Sequence, residues 1–315
     1  MKKVLIIVFM HLCLVINGQL YPDSNNDGKY YKINGKQIWV VTFGGGNPLF
    51  LISGGPGMSH ISLRDFDSLS TTSTLIYFDA LGRGKSDTAA SISEYTLDRD
   101  IEEVEGLRKA LNYSKIDVLG HSYGTVVAQG YALKYQNNIS HLILVSPTHS
   151  YVAWQENDDN SNRETKEQFP EIWDSLMVLR KLGYKSSDPV HFKLYLRVPA
   201  TLLFYYDPNS YINRNVNYPN QFNIRLYYQM VGPDGDFTVG NEMGKIDFRD
   251  KLKGLRIPVL IIAGRYDRVS MPSMTIKYKQ YIPQVEFVMM EKSGHYPFKE
   301  EPARTFKIIR DFLRK

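Results

Sequence analysis

The segment "DVLGHSYGTVVAQGYAL", Asp117 to Leu133, joins a short apolar β-type run to a helix-type run with almost no loop between. Ser122 stands on the point of that turn, with Gly120 and Gly124 two residues away on either side. Few architectures accept so sharp a strand-to-helix turn. The residue at its point must take a strained backbone conformation, so its neighbours must be small, which accounts for the two glycines. The strain would hold the Ser122 hydroxyl out above the sheet. The helix N-terminus beneath it offers unsatisfied N–H groups and a partial positive charge. Between "IDVL" and "TVVAQGYAL", the Gly-x-Ser-x-Gly pattern reads as a nucleophile elbow rather than a glycine-lined turn.

The surrounding pattern supplies the sheet that such an elbow needs. "YYKINGKQIWVVTFG" alternates about Asn34-Gly35, a hairpin signal. "PLFLIS", "STLIYFDA", "KIDVLG", "HLILVS", "IPVLIIAG" and "VEFVMM" are short β-rich runs. Among them lie helix-type stretches: Leu97 to Leu111, with Leu97, Ile101, Val104, Leu107 and Leu111 on one face, then Tyr123 to Tyr135, and finally Pro302 to Leu313. Alternating strands and helices predict an α/β fold with a mainly parallel, twisted sheet covered on both faces. From about Pro147 to Gly254 the rhythm breaks into a polar, tyrosine-rich, partly helical block. That divides the chain into a core at 19–146, a mostly helical lid (cap) insertion at 147–254 and the rest of the core at 255–315. The lid tyrosines, including Tyr205, Tyr206, Tyr227 and Tyr228, either line an apolar pocket or form the lid's own core.

A serine needs a positioned base, itself oriented by a carboxylate. On such a sheet the chain order is Ser, then Asp or Glu, then His. "VLIIAGRYDRVS" places Asp267 just past one strand, and "VEFVMMEKSGHYPF" places His295 past the next. The candidate triad is Ser122, Asp267 and His295. The loop "SGGPG" follows another strand, and its glycines would let backbone N–H groups approach a substrate carbonyl. The candidate oxyanion donors are the N–H groups of Gly55 and Tyr123, with Gly54 beside them.

Composition bounds what surrounds this chemistry. "MKK", an apolar run from Val4 to Ile16 and a small residue at Gly18 have the layout of a secretory signal peptide over residues 1–18, with an uncleaved membrane anchor as the alternative. The expected location is periplasmic or secreted. Cys13 is the sole cysteine and would leave with that segment, so no disulfide, thiol nucleophile or cysteine metal site is expected. A formal charge of +5, which loses Lys2 and Lys3 with the signal, is too mild for a nucleic-acid partner. No metal, no cofactor and no stable membrane association of the mature chain are expected, and the oligomeric state is left open.

Taken in order, "SGGPG", "FDALGRGKSD", "GHSYG", "GRYDRV" and "SGHYPF" resemble the proline iminopeptidase family of α/β-hydrolase serine peptidases. The resemblance implies an α/β-hydrolase fold and removal of an N-terminal residue, often proline, from short peptides through an acyl-enzyme on Ser122. It also implies that Asp79, Arg83 and Ser86 brace the loop beside the site. The family binds the substrate's free amine through acidic lid residues. "GPDGDFTV" resembles such a segment and points to Asp236, whereas the position after the triad aspartate is here Arg268, a cation expected beside the substrate pocket unless its long side chain turns out to solvent. The oxyanion loop begins with Ser53 where many relatives have histidine, and the elbow has Tyr123 where many have tryptophan. Two other readings share the sequence: an esterase or acylase for a small acyl substrate, since fold and triad do not choose the acyl group, and an inactive binding protein of the same fold. An elbow serine disfavours epoxide or haloalkane chemistry, which would want an aspartate there.

Overall fold

A computed structural model describes residues 28–199, 203–210 and 218–315. The expected signal segment and Cys13 lie outside these residues. Strands β1 (Gly28–Ile33) and β2 (Lys36–Gly44) form the hairpin that the sequence announces. Asn34 and Gly35 both have positive φ, at 48° and 81°, as a two-residue turn matched to strand twist requires. There follow β3 (Asn47–Ile52), β4 (Ser73–Asp79), β5 (Ile116–His121), β6 (Ile139–Val145), β7 (Val259–Gly264) and β8 (Glu286–Met290). They make one eight-stranded sheet in the order β1-β2-β4-β3-β5-β6-β7-β8. β2 pairs antiparallel with β1 and β4, and every other pairing is parallel.

Each side of the sheet has its own core, and the strands feed the two alternately. Val118 of β5 and Ile261 of β7 face one, together with Ile101, Val104 and Leu107 of α1 (Leu97–Ala110) and Val126 and Val127 of α2 (Tyr123–Tyr135). Leu119, Leu260 and Ile262 face the other, against Leu63 and Phe66 of the 3₁₀ stretch His60–Thr71 and against the last helix. With both faces covered, β5 and β7 are buried at every residue, which is why they read as unbroken apolar runs rather than alternating ones.

Between β6 and β7 the described chain adds no strand to the sheet. It forms α3 (Tyr151–Gln168), α4 (Pro170–Lys181), α5 (Pro189–Tyr195) and α6 (Ile224–Val231). This block leaves and returns through a narrow neck. Ser150 bridges Asp247, the Tyr151 N–H donates to the Ile246 carbonyl at 2.7 Å, and the Phe248 N–H donates to the His149 carbonyl at 3.0 Å. The final helix, α7 (Pro302–Leu313), packs Phe306, Ile309 and Phe312 onto the sheet. Because β3, β5, β7 and β8 run parallel, the loops after them, carrying Gly54–Gly57, Ser122, Asp267 and His295, gather at one edge of the sheet.

Candidate active site

Ser122 links β5 directly to α2 with φ 54° and ψ −122°, a conformation that non-glycine residues rarely hold. A side chain on Gly120 would run into the carbonyl of Gly124, and one on Gly124 into the carbonyl of Ile52. Both contacts are with backbone, so neither can relax by rotating a side chain. The turn therefore needs glycine at both places.

His295 and Asp267 are buried together, each 2% exposed. The His295 Nδ1–H donates to Asp267 Oδ2 at 2.9 Å. The other oxygen, Oδ1, accepts from the N–H groups of Val269 at 2.9 Å and Ser270 at 2.7 Å. Burial alone would raise the Asp267 carboxyl, but the imidazole and these N–H donors outweigh it and hold it below the usual carboxylate range. With Nδ1 committed, Nε2 is the nitrogen left for Ser122, and both residues line one cavity of about 260 Å³. Gly54, Gly55 and Tyr123 line it as well. A Cβ on Gly54 would stand 3.0 Å from the Ser122 Cβ, so the glycine loop and the elbow are in contact.

That glycine loop is anchored by a buried network. Arg83 donates to the Pro56 carbonyl at 2.7 Å and makes a two-pronged pair with Asp100 of α1, at 2.8 and 2.6 Å. The Tyr123 hydroxyl donates to the same Asp100 at 2.6 Å. One carboxylate thus ties the loop to the start of the elbow helix. Asp79 accepts from the His60 ring and N–H, from the Lys85 N–H and from the Tyr218 hydroxyl. Ser86 donates to the Asp79 carbonyl and accepts from the Trp39 N–H.

Two residues close to the site carried no readable signal. The His121 Nε2–H donates to the His295 carbonyl at 3.0 Å, and the Ser146 hydroxyl donates to the same oxygen at 3.1 Å. Burial, then the neighbouring His295, pushes the His121 imidazole down to about 3, so it stays neutral and keeps that donor. His121 is the variable letter of the elbow pattern, and Ser146 directly follows β6 at φ 50°. Nothing in the spacing of either points to the loop they hold.

The roof of the cavity comes from the block between β6 and β7. Asp236 faces it, accepting from the Tyr228 hydroxyl at 3.0 Å and the Tyr227 hydroxyl at 3.3 Å. Burial pushes its carboxyl up to about 6 against the pull of those two hydroxyls. Beside it stands Asp158 of α3, one acid in the polar run Asn157 to Asn160, which nothing in the sequence marks as a site residue. Its Oδ2 is buried with no hydrogen-bond partner among the described residues. Burial and then the Asp236 charge hold this carboxyl well above the ordinary range. Tyr227 and Tyr228 line the cavity, whereas Tyr206 packs against Tyr266 at the surface and Tyr205 against Tyr296, both pairs with tilted rings.

Arg268 corrects an expectation. It is not among the cavity-lining residues, and its guanidinium lies 3.6 Å from Glu164 on α3. Asn160 and Ser161 of the same helix hold the Arg268 carbonyl. The side chain following Asp267 turns out along α3, because the cavity edge at this point belongs to Val269 and Ser270.

The sequence pattern of the alpha/beta hydrolase fold matches residues 47–302. A proline iminopeptidase of Heyndrickxia coagulans is 31% identical over 278 residues, 86% of this chain and 91% of its own. One from Saccharolobus solfataricus is 30% identical over 297 residues, 92% of this chain and 93% of its own. The solved proline iminopeptidase of Mycobacterium smegmatis shares the fold at a TM-score of 0.73 and 21% identity, covering 91% of this chain and 97% of that one. By these likenesses, the chain belongs to the alpha/beta hydrolases and, within them, to the proline iminopeptidase family.

Proposed function

We propose that this protein is an exported serine aminopeptidase that releases N-terminal proline, or another small residue, from short peptides. Ser122 Oγ attacks the scissile carbonyl while His295 Nε2 takes its proton, and Asp267 holds the imidazole in the required tautomer. The N–H groups of Gly55 and Tyr123, with Gly54 beside them, face the oxyanion. His295 returns the proton to the departing amine, and water then releases the acyl group by the reverse sequence. Residues 147–254 act as a lid that roofs the substrate, and residues 1–18 direct export.

The observation that carries this reading is the pair of carboxyls, Asp158 and Asp236, in the cavity that holds Ser122 and His295. Two acids placed close together in a mostly apolar chamber are costly unless a cation joins them. The ammonium of an unblocked N-terminal residue is such a cation, and it lies one residue's length from the bond to be cut. A charge-assisted hydrogen bond of this kind contributes about 1.5–3 kcal/mol. Prolyl arylamide should therefore turn over with a kcat/KM about tenfold to more than a hundredfold above that of its N-blocked form. Asp158→Asn and Asp236→Asn should each narrow that gap while leaving a short-chain aryl ester little changed. Equal turnover of free and blocked amides would give the site to an esterase or acylase instead.

A further inference from the structure

The catalytic histidine is gripped from the side of the lid as well as from the sheet. The His295 N–H donates to the Phe204 carbonyl at 2.7 Å. Next to it, the Gly294 N–H donates to Glu300 Oε2 at 2.6 Å. The other oxygen of the same carboxylate accepts from the N–H groups of Tyr206, at 2.7 Å, and Asp207, at 3.2 Å. Glu300 thus holds the histidine loop with one oxygen and a strap from the lid block, residues 203–207, with the other. Its neighbour Glu301 also binds this loop, through the Lys292 N–H and the Ser293 hydroxyl. Of the two, Glu300 is the one that reaches both pieces.

The strap lies hard against the loop. A Cβ on Gly294 would stand 2.6 Å from the Phe204 carbonyl oxygen and 3.0 Å from the Tyr205 carbonyl carbon. The Phe204 ring packs 5.6 Å from the His295 ring, and Phe204 itself lines the substrate cavity. One strap therefore walls the substrate chamber and fixes the backbone of the residue that moves the proton.

We propose that Glu300 is a positioning residue for catalysis, buckling strap 203–207 to the His295 loop so that the base is aligned only while the strap is seated. This rests on the reading of His295 as the base. A carboxylate suits the place because three converging backbone N–H groups need acceptors and no donor. The consequence falls on reaction rate far more than on substrate affinity, since the amine-binding acids sit on other elements and the strap gives the chamber only its Phe204 wall.

The test uses the mature chain with three readouts: fluorophosphonate labelling of Ser122, turnover of an aryl ester and turnover of prolyl arylamide. Glu300→Ala removes the buckle, and Gly294→Ala pushes the strap off while leaving Glu300 in place. Each should slow labelling and lower kcat for both substrates by about tenfold or more, because small misplacements of a reacting group are costly. KM for the arylamide should stay within about threefold. The double variant should be no slower than the worse single one, because both changes break one connection. Glu300→Gln, which keeps the shape and one acceptor, should recover part of the loss. If Glu300→Ala will not fold, Glu300→Gln and Gly294→Ala carry the test alone. Labelling and kcat at wild-type levels in folded Glu300→Gln and Gly294→Ala, with His295→Ala inert, would overturn the buckle and leave the base in place. Labelling of His295→Ala at the wild-type rate would instead overturn the base.

Discussion

Asp236 is a residue whose function and stability pull in opposite directions. Its carboxyl titrates at about 6 in the folded chain because burial favours the neutral form. A carboxyl raised in this way stabilises the fold fully below its unfolded value near 4, and that advantage is lost as pH rises through about 6. At one unit of pKa per 1.36 kcal/mol, the ionised group at pH 8 costs up to about 3 kcal/mol. Asp236→Asn should accordingly match the wild type near pH 4 and exceed it at pH 8 by an amount approaching that figure in urea denaturation. The same ionisation should be needed for substrate. The ratio of kcat/KM for free prolyl arylamide to that for an aryl ester should climb with pH through about 6. Taking the ratio cancels whatever pH dependence the shared catalytic step carries. In Asp236→Asn the ratio should stay low and flat. A ratio that does not move with pH in the wild type would remove Asp236 from amine binding.

At the scale of elements, what could be read in advance was whatever short-range chemistry dictates. The turn at Asn34-Gly35, the elbow glycines and the runs of β5 and β7 follow from local rules, and α2 and α7 have the bounds that their periodicity gives. Asp158 was not legible, because one acid among polar neighbours on α3 has nothing to mark the face turned to the cavity. The path of the Arg268 side chain depends on where α3 passes, a long-range fact that no spacing encodes. The three buried acids of α1, Asp100, Glu103 and Glu105, also ran against the pattern. They are buried because partners from elsewhere reach them: Arg83 reaches Asp100, the Leu81 N–H reaches Glu103 and the Tyr131 hydroxyl reaches Glu105. The β5-to-α2 junction offers the sharpest check on the local rules. Gly124→Ala places a methyl against the Ile52 and Ser53 carbonyls, backbone atoms of the adjoining β3 and the loop after it. Overpacking usually costs about 1–3 kcal/mol, and a clash with rigid backbone belongs at or above the top of that range. The variant should lose at least about 3 kcal/mol in urea denaturation, or fail to accumulate as folded protein. A fully stable Gly124→Ala would mean that the junction is looser than its geometry.

For the whole molecule, the question is where it works, and the sequence divides the labour cleanly. The eight strands of the described residues and every candidate site residue lie within residues 28–315. Residues 1–18 hold no candidate site residue, and they hold the single cysteine. The remaining chain has no thiol, so its folding after transport would need no oxidising partner and its stability would not depend on the redox state outside the cell. Its core suffices without staples, as a chain of this length allows. If residues 1–18 are an address and not part of the fold, deleting them should change location alone. A chain starting at residue 19 should show the melting temperature and prolyl arylamide turnover of the mature natural form, yet stay inside the expressing cell. The full-length chain should be recovered outside the cytoplasm with its amino terminus near Gln19, read by N-terminal sequencing. A full-length product that keeps Met1 and sediments with membranes would make the segment an anchor, leaving the site chemistry as it is and tethering it to a lipid surface.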